Sequence, residues 1–393
     1  MAVSRRAWLK NLFCMVGASL AVNRSLPVLL AEDGAPVTKE SGPLTVHVTR
    51  PFDAETPVRE FTSLLTPNHR FFVRSHFGPP APELISEANW KLRLQGQVER
   101  PAEFTLAGLR QMEAVTVTAV VQCSGNGRAF HRPKVPGVQW KRGAVGNAQW
   151  TGVRLRDLLM QAGVQGSAKH VQFQGADRPI LDSVPLFVRS IPLDKAIHPD
   201  TILAYEMNGR PLPLLHGAPL RVITPGWMAD SHIKWLTDIT VQAEESKGFY
   251  MQTAYRVPEP PVEPGGSVKG RTMLPVEAMV VKSLIAAPEE GERVKVGPVM
   301  IQGVAWGGEA KVVKVEVSMD DGTTWEQVRL VGEDHPYGWR LWQHVWKAKT
   351  PGIVTLLCRA TDARGVAQPA TSPWNPSGFL WNGWDRVTVT VHE

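Results

Sequence analysis

One stretch, Pro258-Glu259-Pro260-Pro261-Val262-Glu263-Pro264-Gly265-Gly266, restricts the fold more than any other part of the chain. Each proline removes a backbone donor and locks φ, so neither a helix nor a central strand can run through it. The segment reads as a linker over 259–270 and divides the chain in two. At about one domain per 150 residues, 393 residues allow two or three domains.

The two parts differ in pattern. After the linker, over 271–393, everything reads as strand. Val312 to Met319 alternates, Asp320-Asp321-Gly322 turns, and Thr324-Trp325 resumes, which is a hairpin signature. Further short strands at regular spacing predict an all-β immunoglobulin-like sandwich. Before the linker, over 61–258, the pattern is mixed α+β. Trp90–Val98, Val115–Val121 and His170–Gln174 alternate or run apolar as strands. Glu103–Met112 and Trp150–Leu159 carry leucines at helical spacing and are expected to be helical. Residues 32–60 are polar and proline-punctuated, an extended lead-in.

Residues 1–31 read as a targeting signal. Ser4-Arg5-Arg6-Ala7-Trp8-Leu9-Lys10 resembles the twin-arginine export motif, a modest apolar stretch follows from Leu12 to Val22, and Ala31 suits cleavage. That route exports folded proteins, so the expected location is the periplasm. The formal net charge of +6 falls to about +2 once Arg5, Arg6, Lys10 and Arg24 leave with the signal. Without a lysine-rich run, nucleic acid is not an expected partner. No apolar run reaches the roughly 18 residues of a membrane span.

Cysteine is scarce. Cys14 lies in the signal, which leaves Cys123 and Cys358. Cys358 falls in an alternating run, Ile353 to Ala360, and is expected in a core. A disulfide between the two is disfavoured, because it would remove Cys123 from the chemistry its surroundings suggest. The strand Val115–Val121 stops at Cys123, and Ser124-Gly125-Asn126-Gly127 then turns, since glycine and asparagine tolerate positive φ. Arg128 follows at once. Exposed amides and a cation beside a thiol favour the thiolate, the form that binds metals. On the residues alone a plain core cysteine stands equally open. A phosphate-cradling glycine loop does not fit, since the spacing is wrong and no lysine follows.

Several runs together carry a resemblance. Cys123-x-Gly125-Asn126-x-Arg128, Gly137-Val138-Gln139-Trp140, Phe71-Phe72-Val73-Arg74-x-His76, Ile202 to Pro213, His216-Gly217-Ala218-Pro219-Leu220-Arg221 and Ser231-His232-Ile233-Lys234-Trp235 resemble the sulfite oxidase family of molybdopterin enzymes. In the second part, Trp339-Arg340-Leu341-Trp342 and Trp374-Asn375 resemble that family's dimer-forming domain. The likeness covers roughly residues 60–390.

The resemblance implies a molybdopterin-binding catalytic domain, then a dimerisation sandwich, and a homodimer. It implies molybdenum held by Cys123, the metal ligand, with molybdopterin supplying the other ligands. It assigns Phe72, Val73, His76, Asp177, His216, Arg221, Ser231, His232 and Lys234 to the cofactor, the cations and polar edges suiting a pterin with a phosphate tail. It assigns Arg74, Arg128, Trp140 and Arg340 to the substrate, with Tyr255 ordering the oxygen chemistry and Tyr250 as its fallback. The implied reaction is oxidation of sulfite to sulfate. Animal members carry a haem domain with no counterpart here, which makes a separate c-type cytochrome the expected acceptor. Sulfane dehydrogenases and sulfoxide-reducing relatives share the fold and are the nearest alternatives. A non-catalytic binding protein would not need the cysteine. Neither Gly-x-Ser-x-Gly nor His-Glu-x-x-His occurs, so serine and zinc hydrolases are not supported.

Overall fold

The computed structural model describes residues 44–393. The export motif, and residues 32–43 of the lead-in, lie outside the described residues. No described helix is long and apolar enough to cross a membrane.

The first part is built on two five-stranded sheets. In one, Ala114–Gln122 pairs antiparallel with Val145–Arg154, which pairs with Ile202–Met207. Its strands are rich in β-branched residues, and they are buried where they approach Cys123. The other sheet runs Ala102–Thr105, Lys91–Gly96, Leu236–Gln242, His170–Gly175 and Val188–Pro192. Trp90, Leu92, Leu94, Leu155, Leu158, Phe173, Ile239 and their neighbours form the core that joins this sheet to the helix Leu155–Ala162.

Three local expectations change. The lead-in over 44–60 is a hairpin, Thr45–Thr49 with Phe52–Glu55, whose Asp53 and Glu55 are buried. Within Glu103–Met112 only Leu106–Arg110 is helical, capped by the Thr105 hydroxyl, which accepts from the Gly108 N–H at 3.1 Å. Within Trp150–Leu159 the chain stays in strand to Arg154 and turns helical at Leu155. The partner strand comes so close at Gly152 that a Cβ there would lie 1.9 Å from the Leu203 carbonyl oxygen. Pairing with Ile202–Met207 therefore overrides the leucine spacing.

The second part is the expected sandwich. One sheet contains Lys282–Ala287, Gly297–Trp306, Arg340–Ala348 and Arg329–Val331; the other contains Arg293–Lys295, Asp385–His392, Gly352–Asp362, Val312–Ser318 and Glu326–Gln327. Ile285, Ile301, Ala305 and Trp342 meet Val315, Val317, Leu356, Cys358 and Val387 between them. Cys358 is fully buried and accepts from the Ser283 hydroxyl, and both cysteines are free thiols.

The proline-rich segment is not a tether. Arg256–Glu259 pairs antiparallel with Thr272–Pro275, so residues 260–271 are the loop of a hairpin, with Val262 buried. The two parts share a core in which Phe61, Val120, Val145 and Met228 meet Met279, Leu284, Trp306 and Trp339. The Val120 N–H donates to the Tyr337 carbonyl at 2.9 Å, and the Trp306 indole donates to Gln122 Oε1 at 2.8 Å. The sandwich thus buttresses the strand that ends at Cys123.

Candidate active site

The cysteine turn is held from both flanks. The Cys123 N–H donates to the Ala144 carbonyl, and its own carbonyl accepts from the Asn126 N–H at 2.9 Å. Gly127 has φ +94°, and a Cβ there would meet the Trp381 ring at 2.7 Å, so the turn needs glycine twice over. The Arg128 guanidinium lies against Gly125 and donates to the Ser377 and Val138 carbonyls, both at 2.9 Å. Burial raises the Cys123 thiol pKa; the charges of Arg74 and Arg128 and the Gly125 N–H oppose that. A thiolate formed here by binding a metal would meet two cations.

A cleft opens over Cys123. One wall is the loop Phe71–His76, tied to the hairpin through backbone bonds between Ala54 and Val73. Arg74 donates to the Asp53 carboxylate at 3.0 Å and lies 3.1 Å from His76 Nδ1. His76 Nε2 is 2.8 Å from the Tyr255 hydroxyl. Tyr255 has φ 54°, an uncommon conformation for a bulky residue, and stacks on Phe379 at 5.1 Å.

The other wall gathers charge. Lys234 Nζ donates to the Ser75 hydroxyl at 2.6 Å and to the Leu215 carbonyl at 2.9 Å. Arg221 donates to the His216 carbonyl at 2.8 Å and sits over Trp150. His216 Nε2 lies 3.0 Å from the Asn68 carbonyl, so that nitrogen carries the proton. Burial lowers Lys234 to about 7, Arg221 to about 9, and His216 and His232 to about 3. Burial raises Asp177 to about 6, against the pull of Lys234.

Ten of the fifteen expected site residues line this cleft: Phe72, Arg74, His76, Cys123, Asp177, His216, Arg221, His232, Lys234 and Tyr255. Five do not. Val73 serves through its backbone, and the Ser231 hydroxyl is spent on Thr224 at 2.7 Å and the Met228 carbonyl at 2.8 Å. Trp140 is fully buried behind the cysteine, edge-on to His47. Arg128 faces carbonyls, as described. Arg340 pairs with Asp334 at 3.1 Å. Tyr250, the fallback, packs on His76 at 4.7 Å.

Residues 77–250 match the oxidoreductase molybdopterin binding domain, and residues 274–392 match the Mo-co oxidoreductase dimerisation domain. Mitochondrial sulfite oxidase of Rattus norvegicus is 38% identical over 369 residues, 88% of this chain and 66% of the rat protein. Sulfite oxidase of Arabidopsis thaliana is 33% identical over 374 residues, 88% of this chain and 94% of the plant protein. The chain belongs to the sulfite oxidase family. The crystal structure of the sulfane dehydrogenase SoxCD from Paracoccus pantotrophus superposes with a TM-score of 0.77 at 25% identity, covering 96% of this chain and 95% of that one. The chain spans about two thirds of the length of the rat enzyme.

As a member of the sulfite oxidase family the chain takes molybdenum bound to molybdopterin, and its cleft fits that group. Both His232 ring nitrogens and Arg221 Nε are buried without a hydrogen-bond partner among the described residues. Buried polar atoms demand partners, and a pterin with an anionic tail brings them. Cys123 supplies the one soft ligand in the lining.

Three residues of the site escaped the sequence reading. Asp230 is 5% exposed, lines the cleft, accepts from the Ser124 hydroxyl at 2.5 Å and pairs with Arg189 at 2.6 Å. Arg189 lies 5.5 Å from the Tyr255 ring. Asp53 anchors Arg74. Asp230 stands just before the Ser231–Trp235 motif, so an acid buried beside Cys123 was within reach of inspection. Asp53 and Arg189 carry no such local signal.

Proposed function

We propose that this chain oxidises sulfite to sulfate. The observation that carries this reading is that a lone soft ligand, Cys123, and an anion-binding wall, Arg74 with Tyr255, face one cleft. Sulfite and water become sulfate, two protons and two electrons. When bound, the cofactor accepts the two electrons and provides the oxygen atom that sulfite gains.

The protein's residues do the rest. Arg74 spends three of its five N–H donors on Asp53, Ser75 and His76, which leaves two for an oxyanion. It is held rigid before substrate arrives, which favours electrostatic stabilisation. Arg128 acts from behind Cys123, steadying the thiolate and the turn. Asp177, His216, Arg221, His232 and Lys234 hold the pterin and its phosphate. Val73 and Ser231 keep their loops in place. Trp140 packs behind the ligand.

The twin-arginine motif at Ser4–Lys10 supports a periplasmic enzyme. A c-type cytochrome is then the acceptor, taking electrons singly. The match of residues 274–392 to a dimerisation domain supports a homodimer. A second reading, oxidation of sulfane sulfur, is favoured by the superposition on SoxCD. Steady-state cytochrome c reduction separates them. The sulfite reading expects kcat/KM to be higher for sulfite than for a protein-bound persulfide. Turnover with the persulfide alone would overturn it.

A further inference from the structure

We infer that Asp53 is a positioning residue that makes Tyr255 a hydrogen-bond donor into the cleft, acting through Arg74 and His76. The inference deepens the sulfite reading, and only its kinetic arm rests on that reading.

The chain of contacts starts in the hairpin. Asp53 is 1% exposed. Its Oδ1 accepts from the Ser75 N–H at 3.0 Å and its Oδ2 from Arg74 Nη1 at 3.0 Å. Nη1 also donates to the Ser75 carbonyl. The guanidinium is thereby clamped in one plane. A guanidinium can only donate. Since Arg74 Nη2 lies 3.1 Å from His76 Nδ1, that nitrogen must accept and carries no hydrogen.

The tautomer follows. Burial, with the charges of Arg74 and Lys234, holds His76 well below its ordinary pKa. The neutral ring then carries its single hydrogen on Nε2. Ring reversal is obstructed, because Phe187 lies 4.3 Å and Tyr250 4.7 Å from the ring. Nε2–H points at the Tyr255 oxygen, 2.8 Å away, so the hydroxyl accepts there. Its own hydrogen is left for another acceptor. Tyr255 lines the cleft and is pinned by Phe379 and by its φ of 54°. The class of acceptor that suits it is an oxyanion oxygen. Without Asp53 the guanidinium can turn, Nδ1 loses its fixed donor, and the tyrosine can reverse its bond and donate to Nε2 instead.

Histidine-labelled ¹⁵N NMR tests this directly, with His76 assigned by its loss in His76→Gln. The wild-type protein should show His76 protonated on Nε2. Asp53→Asn keeps an oxygen that accepts from Arg74 and should keep that tautomer. Asp53→Ala should yield a mixture that includes the Nδ1-protonated form. In sulfite turnover, Asp53→Ala should lower kcat/KM about tenfold, the scale of one hydrogen bond to a charged group. In a Tyr255→Phe background the same change should add little. An Nδ1-protonated His76 in the wild type, or a tautomer unmoved by Asp53→Ala, would overturn the inference. The NMR result stands whether or not sulfite is the substrate.

Discussion

Asp230 shows how a single side chain can hold the site together. It joins the turn after Cys123, through Ser124, to Arg189 beneath the Tyr255 ring. Arg189 is 2% exposed and so has no route to solvent. Asp230→Ala leaves that cation buried and unpaired, and should destabilise the fold by about 3–5 kcal/mol. Adding Arg189→Met should restore much of the loss, as read by chemical denaturation. At this scale the sequence was legible where chemistry repeats a motif: Cys123, Arg74, His216 and Lys234 all reach the cleft. It was not legible where a role depends on a partner distant in the chain. Asp53 and Arg189 become site residues only through folding. Arg128 and Arg340 show the converse, since a motif position did not reveal which carbonyl or carboxylate would claim the guanidinium.

Among the elements, the strand Ala114–Gln122 and its turn set the ligand's place. Gly127→Ala forces an L-residue to φ +94° and drives its Cβ into Trp381 of the sandwich. A strain of this kind costs about 1–3 kcal/mol. The expected result is a lower melting temperature together with weaker retention of molybdenum on dialysis. Full retention would mean that the turn does not govern the ligand. Strands such as His170–Gly175 were legible because their alternation is buried on one side. Trp150–Arg154 was misread because its leucine-rich sequel has helical spacing, and only the approach of Ile202–Met207 settles where strand ends. The linker misled for a related reason: proline and glycine exclude regular structure, but they do not measure how tightly the flanks pack.

At the scale of the whole molecule, the shared core between the two parts encloses charges as well as apolar groups. Lys282 is 1% exposed, with its Nζ unpartnered among the described residues and 4.7 Å from the Trp381 ring. Burial lowers it to about 7, against the pull of Asp385. The unfolded chain, where lysine titrates near 10.4, therefore binds more protons between these values, and stability rises with pH across that window. Lys282→Met should stabilise the protein by about 1–2 kcal/mol at neutral pH. That gain should shrink as pH rises from 7 to 10, in thermal unfolding of wild type and variant side by side. A gain that does not change with pH would assign Lys282 an ordinary titration. The central claim, a cysteine-held molybdenum centre that oxidises sulfite, is tested most directly by anaerobic addition of one equivalent of sulfite to purified holoprotein, following cofactor absorption and sulfate together. The account predicts about one molybdenum per chain, bleaching of the oxidised cofactor, and one sulfate per molybdenum, with Cys123→Ser folded but unable to do either. A fully loaded wild-type protein that stays oxidised and forms no sulfate would contradict it.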